Sequence, residues 1–290
     1  MDGTIIAVIA DCDDTLAPDT TGQLLEKFGV DVDQFWQQRV APLVDAGWDP
    51  TLAYLCEMLA LVEEGPLETL TEAKMREIGP QLQLYPGVPE VFSALREEIE
   101  GDLRYQEHHI TVEYYVISGG IKDLIQASPL GEAVSWMWGC NFSYDDNGRI
   151  AFPRRVVSFT EKTRFLFNIQ KGFTGESHRN RPYAVNAPMK EERRRVPFEN
   201  MLYLGDGPSD VPCMSLLMKA GGRVLGVSCP MDPLRIWTIG YGRRAHATVA
   251  PNYRKGSDTY ETLKVALRGM ASDIAGRIEY EQGRLLPPIP

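Results

Sequence analysis

The chain has 290 residues, 30 of them basic and 40 acidic, for a net charge of −10; 43% are hydrophobic and 24% charged. That is long enough for one large domain or a core with a smaller companion, and the composition is ordinary for a folded protein. The acidic balance argues against non-specific nucleic-acid binding and against an anionic membrane surface, while a locally basic site for an anionic substrate stays compatible with it. The five cysteines (Cys12, Cys56, Cys140, Cys213 and Cys229) are scattered and lack any C-x-x-C spacing. They read as unpaired thiols of a reducing compartment rather than a disulfide frame or a zinc site. No signal-like segment precedes the first apolar run and no run reaches membrane-spanning length, so the expected location is cytoplasmic.

Residues 5–16, IIAVIADCDDTL, form the first element. Six apolar residues, too few for an independent helix, predict a strand buried on both faces of a parallel sheet. Such a strand delivers Asp11 and Asp13 to the carboxyl edge of the sheet, where open α/β folds bind ligands. The plainer alternative is an acidic turn that only caps the next helix.

Residues 18–86 show helical patterns and no strand. Helices are expected over 20–29, over 31–47 with a break at Pro42, over 49–65 between Asp-Pro and Gly65, and over 71–78. The block predicts a helical cap over 17–86, inserted into a core formed by 1–16 and 87–290. Its alternative is further helices packed on the sheet; the absence of alternating strands favours the cap.

After Tyr85-Pro86-Gly87 come a surface helix (89–100), a polar loop (101–109) and a strand (111–120) that ends in Ser118, Gly119 and Gly120 before a helix over 121–127. A hydroxyl and backbone N–H groups at that point make a natural phosphate seat. Residues 137–157 predict a hairpin on Asn147-Gly148. The helix over 158–172 carries Lys162 in its first turn, where a cation opposes the helix dipole. Taken alone Lys162 reads as a solvated surface residue. Residues 173–199 form an Arg-rich, Pro-broken exposed loop; His178, Arg179, Arg181 and the run Arg193 to Arg195 either steer an anionic substrate or simply face water, the latter favoured. NMLYLGDGPSD (200–210) is a short strand ending in Gly-Asp-Gly, whose glycines let the backbone turn tightly and bring Asp206 close to a ligand. Strands over 223–228 and 247–251 and a helix over 258–282 complete the chain. The stripe Tyr260, Leu263, Leu267, Met270 and Ile274 predicts packing on its own domain, a homodimer through this helix being the alternative. The tail LLPPIP is extended.

Four signals thus fall at strand ends or helix starts: Asp11 to Thr15, Ser118-Gly119-Gly120, Lys162, and Asp206 with Asp210. In order and spacing they resemble the haloacid dehalogenase superfamily, with the Ser-Gly-Gly, the helical insertion and the hairpin before Lys162 most similar to its phosphoserine phosphatase branch. Asp14 stands where that branch usually carries Ser, Ser209 where it carries Asn, and Pro208 where it carries a small residue. The resemblance implies an α/β fold with a Rossmann-like parallel sheet core and a helical cap between the first and second motifs. It also implies a Mg²⁺-dependent phosphatase acting on a small phosphorylated metabolite, phosphoserine-like in the nearest case, with no nucleic-acid or membrane partner.

In that reading Asp11 is the nucleophile and Asp13 the acid and base. Asp11, the backbone carbonyl of Asp13, and Asp206 hold Mg²⁺, with Asp210 and Ser209 in support. Thr15, Ser118, Gly119 and Lys162 bind the phosphoryl group. The acid at Asp13 separates phosphatases from the dehalogenases, whose leaving halide needs no proton. A phosphotransferase or mutase using the same aspartyl-phosphate, and a non-catalytic phosphometabolite sensor, are the alternative functions. Phe35 and Arg39 are the faint candidates in the cap for gripping an amino-acid moiety.

Overall fold

The computed structural model describes residues 3–178, 181–228 and 244–283; Arg179, Cys229 and the tail LLPPIP lie outside the described residues. Seven strands form one sheet in the order β4-β3-β2-β1-β5-β6-β7. They are β1 Ile5–Ala10, β2 Thr111–Ile121, β3 Trp136–Tyr144, β4 Ile150–Arg155, β5 Met201–Gly205, β6 Arg223–Val227 and β7 Ala247–Val249. All neighbours are parallel except β3 and β4, which form the expected antiparallel hairpin. The fold is therefore α/β with a Rossmann-like sheet.

β1 is the central strand, and the order reverses around it: β2 lies on one side and β5 on the other. Ala10 pairs with Val116 of β2 and with Leu204 of β5. This register sets Asp11, the Ile117-Ser118 step and Gly205-Asp206 side by side at the carboxyl edge, the switch point where open α/β sheets take ligands.

Alternate residues of the strands bury into two apolar layers, as the period of two requires. Ile6, Val8, Tyr114, Val116, Leu202 and Leu204 pack with the helices Glu90–Glu100 and Asp258–Glu281. Ala7, Ile9, Tyr115, Ile117 and Tyr203 pack with the helix Phe159–Lys171 and also with Leu24, Phe35, Tyr54, Met58 and Met75 of the helical segment. That segment thus shares one continuous apolar cluster with the sheet. Its helices are Thr20–Glu26, Val32–Gln34, Ala41–Asp45, Pro50–Glu64 and Glu72–Ile78. Pro42 follows a π-helical stretch, Phe35–Val40, so the expected irregularity takes the form of an inserted residue upstream of the ring.

Four local expectations are corrected. Within the polar 101–109 loop, Leu103–Glu107 is a short helix, because the Asp102 side chain accepts the N–H of Arg104 as a cap. β2 runs one residue beyond the expected 111–120, to Ile121, through a register shift beside β3, so the following helix starts at Lys122. In the hairpin turn only Gly148 has a left-handed backbone, so the connection is a longer loop from Asp145 to Arg149. The run Arg193 to Arg195 does not reach the site: Arg195 pairs with Glu113 near the opposite end of β2, and Arg194 with Glu191. The stripe on the last helix is buried within its own chain. Among the described residues no helix is long and apolar enough to cross a membrane, and Cys12, Cys56, Cys140 and Cys213 are free thiols.

Candidate active site

Lys162 organises the carboxyl edge. Its helix is docked by a ring stack, Tyr115 on Trp138 and Trp138 on Phe165, with centroids 6.1 and 4.9 Å apart. Its side chain is 1% exposed. The ammonium donates to Asp11 Oδ2 at 2.7 Å, Asp210 Oδ1 at 2.8 Å and Ser209 Oγ at 3.1 Å. The surface reading of this lysine is thereby overturned. Burial alone lowers its pKa, but the charges of Asp11 and Asp210 and their hydrogen bonds outweigh burial and raise it. The ammonium stays protonated at neutral pH.

Asp11 lies one residue beyond β1. Its Oδ1 accepts the Cys12 N–H at 2.7 Å, which fixes the carboxylate plane with Oδ2 on Lys162. Burial raises its pKa well above the ordinary carboxylate value; Lys162 lowers it, and the charges of Asp210 and Asp206 raise it further. The Cys12 thiol between the two acids is pushed up by burial, so it offers no thiolate to compete as nucleophile.

Asp206 and Asp210 come from the loop after β5. Asp210 is fully buried and saturated: Oδ1 accepts from Lys162 and from Tyr203 Oη at 2.7 Å, and Oδ2 from the N–H groups of Asp206 and Gly207 at 3.1 and 3.4 Å. This is a positioning residue. A Cβ on Gly205 would lie 2.5 Å from Asp210 Cγ, whereas one on Gly207 would meet open space. The first glycine is therefore needed to admit Asp210, and the expected tight turn is not its reason. Thr15 Oγ1 reaches Asp206 Oδ1 at 3.5 Å.

Asp13 faces the other side. Its Oδ1 accepts the Thr20 N–H and hydroxyl at 2.7 and 2.6 Å, and its Oδ2 the Ser118 hydroxyl at 3.3 Å. Burial raises its pKa to about 6, against the lowering by Thr20. Ser118 is fully buried and its Oγ also accepts the Gly120 N–H at 2.8 Å. The Gly119 carbonyl accepts the Tyr54 hydroxyl at 2.7 Å, tying the helical segment to this corner.

One cavity of about 490 Å³ joins these groups; Asp11, Asp13, Gly119, Lys162, Asp206 and Ser209 line it. Thr15, Ser118 and Asp210 stand behind that surface, without themselves lining it. Trp36, Thr51, Tyr54 and Phe159 line its outer part. Sequence reasoning missed Thr20, Tyr203 and Tyr54; the only signal was their place on a cap, a strand and a helix facing the motifs. Arg39 is absent from the cavity, being held by Glu57 at 2.8 Å and Glu64 at 2.7 Å, and Phe35 is core.

Oxygens of Asp11, Asp206 and Asp210 lie within 4.8 Å of one another. Three buried carboxylates face one ammonium, an excess of negative charge that a dication would neutralise. Hard oxygen donors of this kind suit Mg²⁺.

No family model matches this sequence. An uncharacterized protein of Borreliella burgdorferi is 28% identical over 284 residues, covering 89% of this chain and 95% of its own. Among solved structures, an HAD family hydrolase of Salmonella enterica serovar Typhi aligns with a TM-score of 0.55 at 12% identity, over 86% of this chain and 68% of that one. A phosphoserine phosphatase holding an analogue of its phospho-aspartyl intermediate aligns with a TM-score of 0.53 at 14% identity, over 91% and 99%. The chain shares the fold of these hydrolases. A cytosolic 5′-nucleotidase IIIB bound to cytidine shares it, with a TM-score of 0.51 at 12% identity, over 93% of this chain and 86% of that one.

Proposed function

We propose that the protein is a Mg²⁺-dependent phosphatase that hydrolyses a small phosphomonoester through an aspartyl-phosphate on Asp11. The observation that carries this reading is the buried Lys162 bridging Asp11 and Asp210 beside Asp206, at the switch point of the superfamily's fold.

Asp11, Asp206 and the backbone carbonyl of Asp13 would hold Mg²⁺, with Asp210 and Ser209 in support, and the ion would supply charge neutralisation for a dianionic phosphoryl group. Lys162 adds a fixed positive charge on the same group, and Gly119 borders it. The Asp11 carboxylate attacks phosphorus; the new O–P bond forms as the ester P–O bond breaks, and Asp13 gives its proton to the leaving oxygen. Asp13 then takes a proton from water, whose oxygen displaces Asp11 and releases phosphate. Thr20 and Ser118 hold Asp13 in place for both steps.

The helical segment serves as the lid of this site. Trp36, Thr51 and Tyr54 line the cavity together with two further acids, Asp14 and Asp19, and among the described residues Lys162 is the one cation in its lining. A phosphoserine carboxylate would find no partner there, since Arg39 is engaged elsewhere. The favoured substrate is therefore an ester whose alcohol lacks a carboxylate.

The test is phosphate release from a panel of esters, including phosphoserine, glycerol phosphate and an aryl phosphate, with Mg²⁺ and with EDTA. Release in Mg²⁺ alone, weakest on phosphoserine, is expected. Asp11→Asn should lower turnover by about 10⁴-fold or more while leaving the protein folded. Wild-type turnover in that variant would remove Asp11 as nucleophile.

A further inference from the structure

A second cavity, of about 110 Å³, shares no lining residue with the first. That volume is several times the roughly 10–15 Å³ that one water needs, and so leaves room for a compact tetrahedral anion. It opens at the β3–β4 edge of the sheet. Its walls bring together Lys122, Arg154, Arg155, Arg164, His178 and Arg181, and among the described residues no carboxylate is in the lining. Lys122 follows β2, Arg154 and Arg155 end β4, Arg164 is on the helix Phe159–Lys171, and Arg181 follows the first turn of the 173–199 segment. Four separate stretches of chain thus converge their positive charge on one point, in a molecule whose net charge is −10.

The local geometry fits an anion rather than mutual solvation. Lys122 is buried, with its ammonium 4.7 Å from the ring centroid of Trp136. Arg164 pairs through one terminal nitrogen with Glu161 and lies over Phe165. Its Nε is buried and has no hydrogen-bond partner among the described residues. A buried donor without an acceptor is costly and is ordinarily satisfied. The guanidinium fork is the side chain best matched to the paired oxygens of a phosphate group. Aromatic rings beneath the cations, Trp136 under Lys122 and Phe165 under Arg164, exclude water and strengthen the attraction.

We propose that this cavity is an anion site, separate from the phosphatase centre, that takes a single dianionic phosphate group. The proposal does not depend on the phosphatase reading. Free phosphate and the phosphate of a small ester share this chemistry, and the experiment separates them.

Calorimetric titration of the full-length protein in EDTA, at low salt, is made with inorganic phosphate and in parallel with glycerol 2-phosphate. Without metal the first site presents an excess of carboxylates, so binding reports the second cavity. One anion per chain is expected, with the tighter of the two ligands naming the source. Arg154→Gln with Arg181→Gln alters two exposed side chains and leaves the fold intact, and should weaken binding at least tenfold; Arg155→Gln should do the same. No binding of either anion at ligand concentrations up to about 10 mM, or equal binding by the arginine variants, would overturn the proposal.

Discussion

Replacing Lys162 by methionine isolates the charge on which the site is built. Methionine has a similar unbranched length and fills the same space, so the cavity contribution is small. What disappears is the ammonium 2.7 Å from Asp11 and 2.8 Å from Asp210, both buried. Asp210 keeps Tyr203 and two N–H groups, and Asp11 keeps the Cys12 N–H, but both lose their cation. Breaking a buried pair by removing one partner costs about 3–5 kcal/mol. With a urea slope of roughly 3 kcal/mol per molar, the unfolding midpoint in EDTA should fall by about 1–1.7 M. Mg²⁺ should restore more stability to Lys162→Met than it adds to the wild type, because it finds the carboxylates released from the lysine. Urea unfolding followed by circular dichroism, with and without Mg²⁺, measures both effects. A loss below about 1 kcal/mol, or equal stabilisation of both proteins by Mg²⁺, would refute the idea that Lys162 is the counter-charge of this cluster.

Gly205→Ala places a methyl 2.5 Å from Asp210 Cγ and should cost about 1–3 kcal/mol together with most of the phosphatase activity, whereas Gly207→Ala, open at that position, should change stability by less than about 0.5 kcal/mol. Thermal unfolding and turnover of the pair provide the contrast, and equal behaviour would contradict it. Arg39→Ala breaks a half-exposed network with Glu57 and Glu64 and should cost less than about 1 kcal/mol, with KM unchanged for every ester including phosphoserine. A selective rise in the phosphoserine KM would return Arg39 to the site. Glu279 is held down to about 2 by its hydrogen bonds to Arg104 and His108. A depressed carboxylate adds stability that is present above its unfolded value of about 4.3 and is lost as pH falls toward the folded one. The stability gap between wild type and Glu279→Gln should therefore narrow between pH 5 and about 2, and a gap independent of pH would contradict the assignment.

What could be read from sequence was whatever the strand period and strand ends determine. The apolar run before Asp11, and the one before Gly205-Asp206, had to be buried parallel strands, and parallel strands end on one edge; bringing these acids together needed no further information. Lys162 was visible only as a misfit to its helix dipole, since its partners lie 151 and 48 residues away. Asp210 was legible as an acid near the site but not as the residue that four donors saturate, because Tyr203 looks in sequence like any β-strand aromatic. Gly205 was credited with a turn when its purpose is to leave space. Arg39 was suspected from its neighbours in QFWQQRV, but a guanidinium with two glutamates in reach across the helical segment is not available to a substrate. In each case the missing part was a contact in three dimensions, near in the chain for Tyr203 and Gly205 with Asp210 and distant for Lys162 with Asp11, which a pattern of residue types does not carry.

The arginines make the same point in reverse. The conspicuous run Arg193 to Arg195 is local, and two of its members are engaged by carboxylates, Arg194 by Glu191 and Arg195 by Glu113. The basic cavity is built from residues that no window of sequence contains, gathered by the hairpin and by one helix. That helix also explains how two sites of opposite lining stand so close. Residues two apart on a helix are turned by about 200°, so Lys162 and Arg164 leave Phe159–Lys171 on opposite faces. One face carries a lysine into a nest of carboxylates, whose excess of negative charge a further cation would balance. The other carries an arginine into a cluster of cations, which the proposed anion would balance. The Tyr115–Trp138–Phe165 stack fixes both faces at once, and an anion bound at the second site therefore bears on the same helix that holds Lys162 against Asp11.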